Sequence, residues 1–298
     1  MKDVVLITGA NGHLAKVVTQ NLSKDHKVIH LTTRKTLTNT DSCFYWDIKK
    51  RYLDPKALKN CKHIIHLAGF SILKKWTRKN KQIMYDSRVE STKIILDTCK
   101  KLNVKPQTFI CASAVGIYDN LLNDYVHEES KKGEDWIAKM VFDWEDAASQ
   151  FRTIGSRVVN MRISLIFSEN AGFLKYNLLS MKFGIGAIIG DKNRKINWIH
   201  ANDISRFIQE SIIDNNFSGP YNLACDYKKN QEQFIKEIKK YYFPYAIIIY
   251  VPMFLMKLFL GERSQIIETN IVLDTNKLKN QGFKCEINNL EQIFKTKK

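Results

Sequence analysis

The chain has 298 residues, 44% of them hydrophobic. That is enough for one large domain or two ordinary ones, and too apolar for a disordered chain. Lys and Arg number 47 against 30 Asp and Glu, a net charge of +17, which admits nucleic acid, an acidic membrane surface or a phosphate-rich ligand as partner. The lysines are scattered in pairs (Lys49–Lys50, Lys74–Lys75, Lys100–Lys101, Lys131–Lys132) rather than gathered in one arm or helix. We therefore expect a solvated basic surface and no nucleic-acid partner. The six cysteines (43, 61, 99, 111, 225, 285) form no C-x-x-C and no metal spacing. Reduced thiols, no metal site and a cytoplasmic location are the expectation. The N-terminus runs straight into a strand, so no signal peptide is expected.

Residues 4–15 read VVLITGANGHLA, and the rest of the chain is organised around them. A short apolar run, as in a parallel strand buried on both faces, leads into Gly9, Gly12 and Ala15. Leu14, Val17, Val18 and Leu22 then recur at helical spacing. In this strand–turn–helix context the first glycine permits the tight turn, and the second lets backbone approach a diphosphate. The small third residue lets helix and strand pack. The N–H groups and dipole of the helix N-terminus suit phosphate charge. Gly9, Asn11, Gly12, His13 and Leu14 are therefore candidate cofactor-binding residues.

The second strand is read at 27–33 (KVIHLTT). An NAD-preferring site usually carries an acidic residue at its end for the ribose 2′-hydroxyl. Arg34 and Lys35 stand there instead and suit a 2′-phosphate, so NADP(H) is favoured over NAD(H). A third strand, 43–48 (CFYWDI), ends near Asp47, a candidate acceptor for the adenine amino group. The fourth, 63–67 (HIIHL), ends at Leu67 and is followed by Ala68 and Gly69, small enough for a cofactor to lie across the strand end, so Leu67, Ala68 and Gly69 are candidate cofactor-binding residues. A helix containing Val89, Ile94, Ile95 and Leu96 precedes the fifth strand, 108–112 (TFICA), which continues through Ser113 to Tyr118. A helix at 136–151 and a strand at 156–163 come next. Apolar strands alternating with helices predict a parallel, doubly wound α/β sheet.

After Ile163 the pattern weakens. Short strand-like pieces at 198–204 (WIHANDI) and 219–224 (GPYNLA) flank a helix at 203–213. The segment 242–260 is long enough for a membrane span, but Pro244, Pro252 and Lys257 interrupt it. It reads as a strand, 246–251, followed by an amphipathic helix from Pro252, and we expect no stable membrane insertion. The expected domains are a Rossmann domain at 1–165, completed by 199–225, and a small C-terminal α+β substrate domain at 226–298. Residues 166–198 are expected to contribute to the substrate cleft.

TGANGHLA resembles the TGGTGxIG of extended short-chain dehydrogenases/reductases. HLAG resembles that family's strand-four motif, CASAVGIY its catalytic-serine strand, and WIHANDI and GPYNLA its late elements. KKW (Lys74–Trp76), DSRVEST (Asp86–Thr92), FDWE (Phe142–Glu145) and VPMFLMKLFLGE (Val251–Glu262) resemble a divergent, sugar-nucleotide epimerase-like, NAD(P)-binding branch with a small C-terminal domain of unknown role. The resemblance covers essentially the whole chain, and the order and spacing of the motifs make it specific.

The chain departs from the family at the chemistry. Family members use a Tyr-x-x-x-Lys pair on the helix after the serine strand, the lysine lowering the tyrosine pKa so that it can move a proton. Here those positions fall on Trp136 and Met140, and neither transfers a proton. Near the expected nicotinamide remain Ser113, able to hydrogen-bond a substrate carbonyl or hydroxyl, and Tyr118, either a substitute acid/base or a packed aromatic with a bonded hydroxyl. The run His127, Glu128, Glu129 is also polar. His200 and Asp203 either line a substrate cleft or belong to a capped helix start. The resemblance implies an NAD(P)-dependent epimerase- or dehydratase-like oxidoreductase acting on a small polar substrate. The alternative is an NADP(H)-binding sensor or interaction protein with weak or no catalysis. Substrate and oligomeric state are not legible.

Overall fold

The computed structural model describes residues 2–38, 41–119, 125–168, 172–227 and 229–295. In chain order the strands are β1 Val4–Thr8, β2 Lys27–Thr32, β3 Cys43–Asp47, β4 Tyr52–Leu53, β5 Cys61–His66, β6 Thr108–Ala114 and β7 Tyr125–Val126. They continue as β8 Arg157–Ile163, β9 Leu165–Ser168, β10 Ile185–Ile189, β11 Trp198–His200, β12 Gly219–Leu223, β13 Ile247–Val251 and β14 Val272–Leu273. The principal helices are α1 His13–Leu22, α2 Arg78–Tyr85, α3 Ser91–Lys101, α4 Trp136–Ser149, α5 Gly172–Lys182, α6 Ala201–Ile213, α7 Gln231–Tyr242 and α8 Met253–Leu260. A π-turn, Asp86–Glu90, joins α2 to α3.

The chain divides into two units, each discontinuous in sequence. The first comprises 1–117, 134–162 and 204–221, the second 118–133, 163–203 and 222–298. The expected boundaries differ from this division chiefly at 118–133, which belongs to the second unit although it lies between Rossmann elements.

The first unit is built on an eight-stranded sheet in the order β12-β8-β6-β5-β1-β2-β3-β4. The pairs β1–β2, β1–β5, β2–β3 and β5–β6 are parallel, and the short edge strand β4 runs antiparallel to β3. From β1 the chain builds outward through β2 and β3, then returns to the other side of β1 and builds outward through β5, β6 and β8. This is the doubly wound Rossmann fold, and the crevice where the order reverses lies at the ends of β1 and β5. The apolar runs sit where their composition sends them. Leu6, Leu31, Ile64 and Phe109 are buried in one core, closed by Phe151, whose ring stacks on Phe109 at 3.7 Å. Helix α1 buries Ala15, Val18 and Leu22 at helical spacing.

The second unit contains three two-stranded parallel pairings, β10–β13, β9–β11 and β7–β14. Its core gathers Phe167, Trp198 and Phe234, with Phe167 stacked on Trp198 at 4.6 Å. The helix expected from Pro252 forms, as α8, but it is not an amphipathic helix with a buried face. None of its residues is buried, and Phe254, Leu258 and Phe259 stand largely exposed. Among the described residues, no helix is long and apolar enough to cross a membrane.

Candidate active site

The first turn of the site is forced by Gly9. Its φ is +75°, a conformation L side chains rarely adopt. A Cβ there would lie 3.0 Å from the Leu67 carbonyl oxygen and 3.1 Å from the Ala68 Cα. Gly9 therefore lets the end of β1 press directly on the segment following β5. Thr8 fastens the same junction, its Oγ1 accepting the backbone N–H groups of Leu67 and Ala68 at 3.0 Å each. Gly12 N–H donates to the Gly9 carbonyl at 2.7 Å and closes the loop. Gly12 then caps α1 without a side-chain hydrogen bond, and the first turn of the helix carries no acidic residue.

Above this loop lies a cleft of about 380 Å³, lined by Gly9–Gly12, the end of β2 through Thr33, Trp46, Ile48, Leu67–Phe70, Ile83 and Ser87. A smaller cleft of about 240 Å³ shares Thr33, Trp46, Ile48, Ile83 and Ser87 and adds Tyr45 and Asp47. The donor set fits a dinucleotide. The helix start has no side chain competing for its N–H groups, and phosphate is what such a terminus holds. His13 Nε2 is buried there without a hydrogen-bond partner, and burial, with Lys16 nearby, lowers the ring's pKa, so it stands neutral. Asp47 lies at the end of β3, its carboxylate accepting from the Tyr45 hydroxyl and the Lys50 N–H, both at 3.1 Å. These bonds, the Lys50 N–H foremost, hold its pKa low.

Gly9, Asn11, Gly12, Leu67, Ala68 and Gly69 thus line one cleft, and Asp47 lines the adjoining one. His13 and Leu14 stand in the first turn of α1, outside the lining. Arg34 is exposed immediately after Thr33. Among the described residues its guanidinium has no partner, while Lys35 sits over the Tyr45 ring. One cation beside Gly69 was not legible. Arg88, in the π-turn, donates to the carbonyls of Phe70 and Met84 and lies over the Trp144 ring. A Cβ on Gly69 would meet its guanidinium carbon at 3.1 Å. Burial pushes its pKa down to about 10. The strand-four glycine makes room for this side chain.

The two expected catalytic residues have different surroundings. Ser113, on β6 and nearly buried, donates to Glu145 Oε1 at 2.5 Å. Glu145, on α4, receives Arg162 of β8 through both oxygens, from Nε at 2.9 Å and from Nη2 at 2.8 Å. Tyr118 is fully buried in the second unit and its hydroxyl donates to Asn222 Oδ1 at 2.5 Å. Asn222 in turn donates to the carbonyls of Val126 and Asp274, and its N–H donates to Glu128. These are the surroundings of a packed aromatic with a bonded hydroxyl. Asp203 accepts the backbone N–H groups of Glu286 and Ile287, so it anchors the C-terminal segment. His200 Nδ1 accepts from Asn202 N–H. Trp136 opens α4 with its ring 5.4 Å from that of Trp76, and Met140 is buried.

Sheet order, switch-point crevice and glycine loop define a Rossmann protein of the extended short-chain dehydrogenase/reductase type. A sequence profile described as the NAD dependent epimerase/dehydratase family matches residues 5–224, and the chain belongs to that family. It is 32% identical over 295 residues to an epimerase family protein of Staphylococcus haemolyticus, covering 97% of both chains. To an epimerase family protein of Staphylococcus aureus it is 30% identical over 293 residues, again 97% of both. Among solved structures, the human epimerase family protein SDR39U1 with NADPH superposes with a TM-score of 0.84 at 20% identity, covering 98% of each chain. UDP-glucuronic acid 4-epimerase from Bacillus cereus in complex with NAD gives 0.75 at 16% identity, covering 95% of this chain and 92% of that one.

Proposed function

We propose that this chain is an NADP(H)-dependent oxidoreductase or epimerase-like enzyme acting on a small polar substrate in the cytoplasm. The observation that carries the reading is the glycine cradle at the switch point, with an uncapped helix start on one side and Arg34, not an acid, beyond β2. The loop and the first turn of α1 hold the diphosphate. Arg34 meets the 2′-phosphate, Asp47 accepts from the adenine amino group, and Leu67–Gly69 give the dinucleotide a flat path past the end of β5. A bound nicotinamide dinucleotide supplies hydride transfer. That the human relative was solved with NADPH supports the same reading, while the Bacillus cereus neighbour carries NAD.

A second reading, a cofactor-binding sensor without catalysis, is favoured by Trp136 and Met140 at the positions where the family has its proton-transferring pair. Fluorescence titration with NADPH and NADH tests the binding. Stopped-flow absorbance at the reduced-nicotinamide band, against a panel of carbonyl and sugar-nucleotide substrates, separates enzyme from sensor. Failure to bind either cofactor rejects both readings.

A further inference from the structure

The small sheet β10–β13 has two faces of opposite character. Its strands pair in parallel, Ile185 with Ile247, Ala187 with Ile249 and Ile189 with Val251. Paired residues project to one face, and the alternate positions to the other. The face carrying Gly186 and Ile188 is turned to the core. A Cβ on Gly186 would meet Met181 of α5 and Ile235 of α7. Ile188 is buried, and the Tyr250 hydroxyl donates to Glu232 of α7. The opposite face holds the three pairs, all aliphatic. Ile185, Ile247 and Ile249 are exposed there, Ile247 to 69%. Parallel sheets are ordinarily covered on both faces. Among the described residues, this one is covered on one.

Helix α8 leaves β13 through Pro252 and extends the apolar stretch. Seven of its eight residues are hydrophobic, and none is buried. Phe254 and Leu258 stand one turn apart on an exposed side with Lys257, and Phe259 is 76% exposed. A helix apolar all round belongs in a core or in lipid. Charge is the second observation. Residues 172–190 and 242–260, which hold α5, this sheet and α8, contain Lys175, Lys182 and Lys257 and no acidic residue. Lys257 pairs with Glu268 at 2.7 Å. Lys175 and Lys182 are exposed and have no ion-pair partner among the described residues. The Tyr245 hydroxyl donates to the Lys182 carbonyl and ties the end of α5 to the approach to β13. A symmetric contact between two copies would bring the same lysines of both to one interface. An anionic lipid surface answers both the apolar face and the unpaired cations.

We propose that this face of the second unit docks on an anionic phospholipid membrane. The outer side of β10–β13 and α8 seat among the headgroups, and Lys175 and Lys182 meet acidic lipid. The chain lies on the bilayer and does not cross it, because eight helical residues span about 12 Å against about 30 Å of hydrocarbon. The proposal is independent of the cofactor chemistry, since its residues belong to the second unit and the glycine loop to the first.

Co-flotation of the full chain with vesicles tests it, using phosphatidylcholine alone and an equal mixture with phosphatidylglycerol. We expect binding to the mixed vesicles, weakened by high salt, and little to phosphatidylcholine. A chain of net charge +17 is drawn to anionic lipid by charge alone, so uncharged substitutions decide. Ile247→Thr with Ile249→Thr keeps strand-forming residues. Phe254→Ser with Leu258→Ser alters only exposed positions of α8. Each pair should unfold near the wild-type midpoint and lose about tenfold or more of the vesicle partition constant. Should one pair fail to fold, the other carries the test. Sedimentation equilibrium reads the competing occupant, a second copy. Three results overturn the proposal: no preference for mixed vesicles, full binding by a folded apolar pair, or a wild-type dimer that Ile247→Thr with Ile249→Thr splits.

Discussion

Thr8 Oγ1 lies 2.9 Å from His66 Nδ1, and the two side chains fix each other's protons. Thr8 already accepts two backbone N–H groups, so its own proton goes to Nδ1. His66 then carries its proton on Nε2 and donates to Ser91 Oγ at 3.0 Å, and Ser91 passes its proton to the Ser87 carbonyl at 2.8 Å. Every donor in this buried chain has an acceptor, and the chain ties the glycine loop to the start of α3.

Acid should unlock it. Burial pushes the His66 pKa down to about 4, the charge of Arg88 adding to the effect against a backbone hydrogen bond to Arg88. The unfolded imidazole takes a proton near 6.5. Between pH 6.5 and 4 the unfolded state therefore binds more protons, and stability falls as pH falls, by about 3 kcal/mol for this residue once pH 4 is passed. His63, pushed to about 4 by burial, acts in the same window and direction. Urea unfolding from pH 7.5 to 4 should show the loss, and His66→Asn should flatten part of it. A pH-independent midpoint over that range rejects the neutral buried pair.

The two loop glycines should fail differently. Gly9→Ala places a Cβ at positive φ against the backbone of Leu67 and Ala68, so it should destabilise the fold by about 1–3 kcal/mol. Gly12 has an ordinary φ of −71°, but a Cβ there would lie 3.1 Å from the Gly9 carbonyl oxygen, so its substitution presses on the loop as well as on ligand space. Gly12→Val should lower thermal stability less than Gly9→Ala does, because its φ is unstrained, and should abolish NADPH binding. Native affinity in Gly12→Val would mean the loop is not the phosphate site.

Arg34→Ala should erase the preference for NADPH over NADH. A charge-assisted contact with the 2′-phosphate corresponds to about tenfold or more in affinity. Separate dissociation constants for the two cofactors, in both proteins, check it.

Tyr118→Phe leaves Asn222 Oδ1 short of a buried donor and should cost about 1–3 kcal/mol in stability, read from urea unfolding. A pH–rate profile on wild type tests Tyr118 as proton acceptor: a tyrosinate base makes turnover climb above neutrality, and a flat profile there rejects it.

The glycine loop, the strand–helix alternation and the cleft-lining segments could be read directly, because buried parallel strands and tight turns constrain residues that are neighbours in sequence. The Ser113–Glu145–Arg162 cluster could not, since its members lie on three separate elements and nothing local links them. One signal was available. Arg162 sits near the end of the mostly buried strand RVVNMRI, and a cation in a buried strand requires a partner. Which carboxylate answers it depends on packing. Tyr118 shows the same limit, because its partner Asn222 is 104 positions away.

Neither unit is a continuous piece of chain, and the large sheet ends on β12, residues 219–223. During synthesis β8 is therefore the open margin of the sheet until that segment leaves the ribosome. Unpaired β margins recruit other strands, so the nascent chain should engage chaperones longest while residues 164–218 are being made, and release them when β12 docks.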